Sequence, residues 1–157
     1  MTDARPAASV RRGTGGGCPF CPIGRGETDT DLIAHRTPNV FVVPALMERR
    51  NNPGHTLVLP VAHVTVLHEA SPELLSEVFG VVARVTRAVR GAYGAVGSTL
   101  VQNNHALGQV LHHLHISVVP RFEDDGYRVP EPGLRAASRE VRRERAVALR
   151  AALAAEG

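Results

Sequence analysis

Apolar residues recur at helical spacing through one long stretch, "SPELLSEVFGVVARVTRAVRGAYG" at 71–94. Leu74, Leu75, Val78, Val81, Val82, Val85 and Val89 fall on one side, which predicts an amphipathic helix with that stripe buried. Ser71 suits the N-cap, Pro72 the first helical position, and Glu73 the positive end of the dipole. Gly91 and Gly94 loosen its end. Elsewhere the apolar runs are short. "LIAHRTPNVFVVPAL" reads as two strands around a Thr-Pro-Asn turn, and "HTLVLP" as a strand ending at Pro60. "STLVQNN" and "HLHISVVPR" read as strands joined by "HALGQ", and "LRAASREVRRERAVALRAALAAEG" as a charged C-terminal helix. Residues 1–17 lack periodicity and read as a flexible tail, and "CPFCPIGRGE" reads as a knuckle. The sum is an antiparallel sheet with one long helix packed on it, an α+β domain over 18–125 with a helical extension over 126–157.

The chain has 157 residues, enough for a single core, and its 43% hydrophobic and 21% charged content is that of an ordinary globular protein. All 18 basic residues are arginine and are spread out, and four Phe, two Tyr and no Trp offer little for base stacking. The net charge of +3 therefore does not argue for a nucleic-acid partner. A basic pocket for a phosphorylated small molecule is compatible with it. No apolar run reaches the length of a membrane span, and the N-terminus lacks a signal-peptide core. The expectation is a cytoplasmic protein without a membrane partner, its two cysteines reduced.

Two clusters carry chemistry. Cys18 and Cys21 in "CPFC" can form a disulfide, a redox pair or half of a metal site; the plain alternative is two small buried residues in a turn. A redox pair usually opens a helix at a strand end, whereas Pro22 and glycines follow here. Two thiolates do not complete a tetrahedral zinc site, so two more ligands are needed, and histidines are available. The second cluster is "LHHLHISVVPR". Strand alternation puts His113, His115 and Ser117 on one face and Leu114, Ile116 and Val118 on the other. A lone strand histidine is usually a satisfied structural residue. Two at i and i+2 point to a site, because a neutral imidazole attacks phosphorus once its other nitrogen donates a bond that fixes the tautomer. His112 faces the opposite way and is secondary.

"NNPGHTLVLPVAH", "LVQNN", "GQ" and "HHLHISVVPR", preceded by "CPFC", resemble the histidine triad (HIT) superfamily of nucleotide hydrolases and transferases. The resemblance covers about residues 18–122. It implies a five-stranded antiparallel sheet with helices, usually a homodimer whose sheet continues across subunits. The family's His-x-His-x-His, followed by two apolar residues, falls on His113 through Val119. His115 thereby inherits the nucleophile's role, attacking the α-phosphate of a nucleotide to give a nucleotidyl-histidine. In zinc-bearing members a CxxC pair and two histidines hold the metal, which maps onto Cys18, Cys21, His63 and His113 as a closed structural site. His55 matches an upstream histidine near the phosphate. Asn103 or Asn104, with Gln109, match polar positions that contact ribose and phosphate.

The chain departs from the pattern at three places. Ser117 stands at the third triad position, where the uridylyltransferase branch has glutamine, so the position tolerates change while covalent chemistry continues; a serine there can still orient His115 or touch phosphate. The family's ribose-binding aspartate falls on Met47, with Glu48 adjacent as a substitute. The hydroxyl residue after Gln109, which helps a leaving group depart, falls on Val110. Three readings follow: a nucleotide hydrolase or nucleotidyltransferase working through His115; a repurposed enzyme of specialised metabolism acting on a nucleotide-activated or other phosphorylated metabolite; and a nucleotide-binding protein with little turnover. The retained His115, Gln109 and Asn pair favour the first two, Met47 and Val110 the latter two, and the first is the expectation carried forward.

Overall fold

A computed structural model describes residues 17–105, 111–127 and 136–155. Five strands, β1 (His35–Arg36), β2 (Val40–Pro44), β3 (Thr56–Pro60), β4 (Gly97–Val101) and β5 (Ile116–Arg121), form one antiparallel sheet in the order β1-β2-β3-β5-β4. Phe41 pairs with Leu59, Leu57 with Ser117, and Ser117 in turn with Val101. "VFVVP" and "TLVLP" are continuous rather than alternating apolar runs because both faces of the central strands are covered.

One face takes the long helix α2 (Pro72–Tyr93). Val78, Val81, Val82, Val85 and Val89 pack there on Val40, Val42, Val58, Ile116 and Val118. Leu74 is partly buried against the same cluster. The Ser71 side chain accepts the Leu74 N–H at 3.2 Å. Ser71→Ala should cost about 1 kcal/mol, read as a lower urea midpoint at unchanged slope.

The opposite face carries Phe41, Val43, Leu57 and Leu59, covered by Phe20. Phe20 belongs to a short helix, α1 (Phe20–Arg25), so the cysteine segment is not an irregular knuckle. Pro22 is tolerated because it lies within the first turn, where its missing N–H has no helical partner to lose. Gly24 lets this helix lie directly on the sheet: a Cβ there would fall 2.9 Å from the Phe41 ring.

Two strands are shorter than their sequence suggests. The first of the pair around Thr-Pro-Asn keeps only two residues, since Thr30–Leu32 forms a 3-10 turn. "HLHISVVPR" pairs only from Ile116. Its partner β3 ends at Pro60, which has no N–H to donate, and the Leu114 N–H goes instead to the Val64 carbonyl at 2.6 Å. Likewise β4 stops at Val101, before Gln102. The chain divides into two compact units between Gly126 and Tyr127. The second contains α3 (Arg139–Ala155), none of whose residues is buried. Among the described residues no helix is long and apolar enough to cross a membrane.

Candidate active site and metal centre

The lead-in to β5 places two imidazoles whose tautomers are both fixed by backbone carbonyls. His113 is fully buried, and its Nε2 donates to the Pro60 carbonyl at 2.9 Å. A carbonyl accepts only, so the proton sits on Nε2 and the lone pair on Nδ1. His115 is the mirror case. Its Nδ1 donates to the His113 carbonyl at 2.8 Å, leaving the lone pair on Nε2. Consecutive positions on one face therefore present opposite nitrogens.

The His113 Nδ1 faces the cysteines, 3.1 Å from Cys18 Sγ and 3.8 Å from Cys21 Sγ. The Cys21 Sγ lies 3.3 Å from His63 Nδ1. One ligand atom from each of Cys18, Cys21, His63 and His113 lies within 4.8 Å of every other. A tetrahedral zinc bound by two sulfurs and two nitrogens separates its ligands by about 3.5 Å, so the four side chains fit that ion. The cysteines are not disulfide-bonded. Burial foremost, and then the neighbouring Cys18, raise the Cys21 thiol above its usual range, a conflict that a cation relieves. The Nε2–carbonyl bond of His113 is the outer contact that orients metal-bound imidazoles. A closed set of four protein ligands marks a structural ion rather than one open to substrate.

Phe20, between the two cysteines, joins the two centres. Its ring meets His113 edge-on at 5.8 Å and lies 6.4 Å from His115. Nothing in the spacing of "CPFC" singled it out beyond an apolar residue inside the motif.

His55 immediately precedes β3. Its Nδ1 donates to the Met47 carbonyl at 3.3 Å, so Met47 contributes its backbone while its side chain is exposed. Burial holds the His55 pKa below the ordinary imidazole value, against the pull of that carbonyl. Glu48 Oε1 accepts the Gly54 N–H at 3.3 Å, which gives this carboxylate a part in holding the loop. Gly54 has φ +85°, and a Cβ there would lie 2.5 Å from the Tyr93 ring, so only glycine fits. Asn104 Oδ1 accepts from the Leu67 N–H at 2.8 Å and from Gln102 Nε2 at 3.0 Å. Asn104 thus fastens the loop after β4. Asn103, two residues past Val101, keeps its side chain out of that fastening. Ser117 is buried on the same face as Leu57. His112 is exposed. Gln109 and Val110 lie outside the described residues.

A polar latch that sequence reasoning missed secures the loop carrying His55. Asn52, buried, donates to the Pro120 carbonyl at 2.9 Å and to Asp125 Oδ2 at 2.7 Å. Arg121 grips both oxygens of Asp125 at 2.7 and 2.9 Å. "NN" and "DD" in loops carry no periodic signal, and 73 residues separate Asn52 from Asp125. Asn52→Ala leaves two buried acceptors each short of a donor and should cost about 2 kcal/mol, measured by urea unfolding.

The sheet, the helix behind it and this histidine edge define a class of α+β protein. The chain belongs to the HIT domain family, which matches residues 26–124. It is 30% identical over 112 residues to protein hit of Bacillus subtilis, covering 70% of this chain and 75% of that one. A zinc-bound histidine triad family protein from Mycobacterium smegmatis superposes with TM-score 0.62 at 29% identity, covering 75% and 84% of the two chains. Family relatives include nucleotide hydrolases. The adenylylsulfatase HINT3 of Arabidopsis thaliana is 31% identical across 69% of this chain and 54% of its own, so the chain spans about half of that relative. An adenosine 5'-monophosphoramidase of Schizosaccharomyces pombe is 26% identical across 69% and 77%.

Proposed function

We propose that the chain is a nucleotide hydrolase or nucleotidyltransferase that acts at the α-phosphate through a covalent nucleotidyl-histidine on His115. The observation that carries this reading is the 2.8 Å bond from His115 Nδ1 to the His113 carbonyl. It leaves the Nε2 lone pair as the nucleophile, and its acceptor stays put while phosphorus is attacked. The relatives' names, adenylylsulfatase and adenosine 5'-monophosphoramidase, support an adenylyl donor as the first class to try.

In the reaction, His115 Nε2 forms a bond to phosphorus as the bond to the leaving group breaks. Water or another acceptor then displaces the histidine. Asn103 and Gln109 are neutral donors suited to ribose and phosphate oxygens, His55 borders the phosphate, and Ser117 touches phosphate or steadies His115. Glu48, next to Met47, would accept from ribose hydroxyls in place of the family's aspartate. Cys18, Cys21, His63 and His113 would hold a structural zinc. When bound, it cross-links α1 to the start of β5. The catalytic domain is residues 18–125, between a tail over 1–17 and an extension over 126–157. It works in the cytoplasm as a homodimer on small molecules.

Met47 and Val110 favour a second reading, a repurposed enzyme whose substrate lacks the usual ribose or leaving group. A third, a binding protein with little turnover, has the same support. The test is incubation with adenosine phosphoramidate, adenylyl sulfate, dinucleoside polyphosphates and nucleotide sugars, for wild type and His115→Ala. Turnover that survives the substitution would sink the nucleophile assignment. Trapped nucleotidyl-protein without release points to transfer rather than hydrolysis.

A further inference from the structure

Leu57 pairs with Ser117, so the site face runs from His115 through Ser117, and His55 sits one step past Leu57, diagonal to Ser117 on the far side from His115. The Met47 carbonyl fixes the His55 proton on Nδ1. The remaining nitrogen, Nε2, is buried and meets no hydrogen-bond partner among the described residues. A buried acceptor without a donor is costly, and a native structure that keeps one calls for a reason such as a catalytic role or a bound water. The loop spends several contacts to hold the ring there: Glu48 on Gly54, Gly54 against Tyr93, and Asn52 on Asp125.

Among the described residues, candidate proton acceptors on this face are few. His113 is committed to the cysteine cluster and Pro60. His115 carries the phosphorus in the intermediate. A serine hydroxyl does not take up a proton near neutral pH. Serine at 117 also fills far less space than the imidazole that the family pattern has there. The charged and titratable groups acting on His55 are Arg49, from its own loop, and His115, from the start of β5; Glu48 and Tyr93 touch its neighbour Gly54. Burial, then Arg49 and His115, favour the neutral ring, while the Met47 carbonyl opposes them.

We propose that His55 Nε2 is the base that activates the water or alcohol resolving the nucleotidyl-His115 intermediate, an inference that rests on the covalent reading above. The acceptor's O–H proton passes to His55 Nε2 as its oxygen bonds to phosphorus. The phosphorus–nitrogen bond breaks, and its electron pair returns to His115 Nε2, restoring the neutral imidazole. His55, now an imidazolium, releases its proton to solvent.

The test uses adenosine 5'-phosphoramidate radiolabelled at phosphorus, with wild type, His55→Gln and His55→Ala. Rapid quenching follows formation and breakdown of the labelled protein separately, from about pH 5 to pH 8. In His55→Gln breakdown of the adduct should slow about 10²-fold or more, and by far more than its formation. Wild-type breakdown should fall as pH drops through a value below the ordinary imidazole pKa. That acid limb should vanish in His55→Gln, and added imidazole should speed release in His55→Ala. Breakdown of His55→Gln at the wild-type rate overturns the assignment. So does an equal fall of formation and breakdown, which marks a merely structural residue. The acid limb is measured on wild type, so its absence overturns the assignment even if a variant fails to fold. A wild type that forms no adduct removes the covalent reading itself, and this step with it.

Discussion

His115→Ala should lower turnover about 10⁴-fold or more, and no labelled protein should be recovered from its quenched reactions. The expectation follows from the position of one proton. His115 holds its hydrogen on Nδ1 against the His113 carbonyl, so each molecule presents Nε2 as a nucleophile without first choosing a tautomer. No described side chain can take its place. His113 is fully buried with its nitrogens directed to the cysteines and to Pro60, and His55 has its nitrogen on the far side of Ser117. His115→Asn is the sharper variant, since an amide keeps a donor toward the His113 carbonyl while offering no nucleophile. It should fold like wild type, bind a non-hydrolysable nucleotide within a few-fold, and form no adduct. Single-turnover quenching with calorimetric binding separates the two effects. Wild-type rates in His115→Asn would show that the phosphorus is attacked elsewhere.

The second large effect concerns zinc. Purified protein should carry one zinc ion per chain by metal analysis, and Cys18→Ala/Cys21→Ala should carry none. Structural zinc sites of two sulfurs and two nitrogens contribute several kcal/mol or more to folding. With each kcal/mol worth about 2–4 °C in a domain of this size, the melting temperature should fall on the order of 10 °C or more. Activity should fall as well, by about 10- to 100-fold, because His113 is shared. Its ring reaches the cysteines while its carbonyl fixes His115. Phe20 adds a second path, since α1 presses it against both rings. A chelator that strips no metal and leaves the melting temperature unchanged would remove the zinc assignment.

The long helix was legible because its signal is local: the valine stripe, Ser71 and Pro72 all lie within the same 24 residues, 71–94. The strands were legible as apolar runs, but their ends were not. β5 begins at Ile116, where Pro60 on another strand has no N–H to offer and the Val64 carbonyl takes the Leu114 N–H. The α1 helix was hidden because Pro22 and Gly24 normally argue against one, and the reason for Gly24 is the Phe41 ring against which it packs. The same holds in the site. The candidacy of His115 was readable from alternation and resemblance. The different tasks of Asn103 and Asn104 were not, since Leu67 and Gln102 decide which amide is used in the fold.

By itself the sequence determined the inventory: which faces are apolar, which residues can bind metal or attack phosphorus, and the antiparallel α+β class. These depend on side-chain chemistry and on periods of 2 and 3.6 residues, which any short window carries. The tertiary structure alone decided what each polar atom is used for. It gathered Cys18 and Cys21 with His63 and His113, gave neighbouring histidines opposite tautomers, and left His55 Nε2 buried with no donor among the described residues. A tautomer is set by the carbonyl that a ring meets, and that carbonyl belongs to a residue no local pattern names.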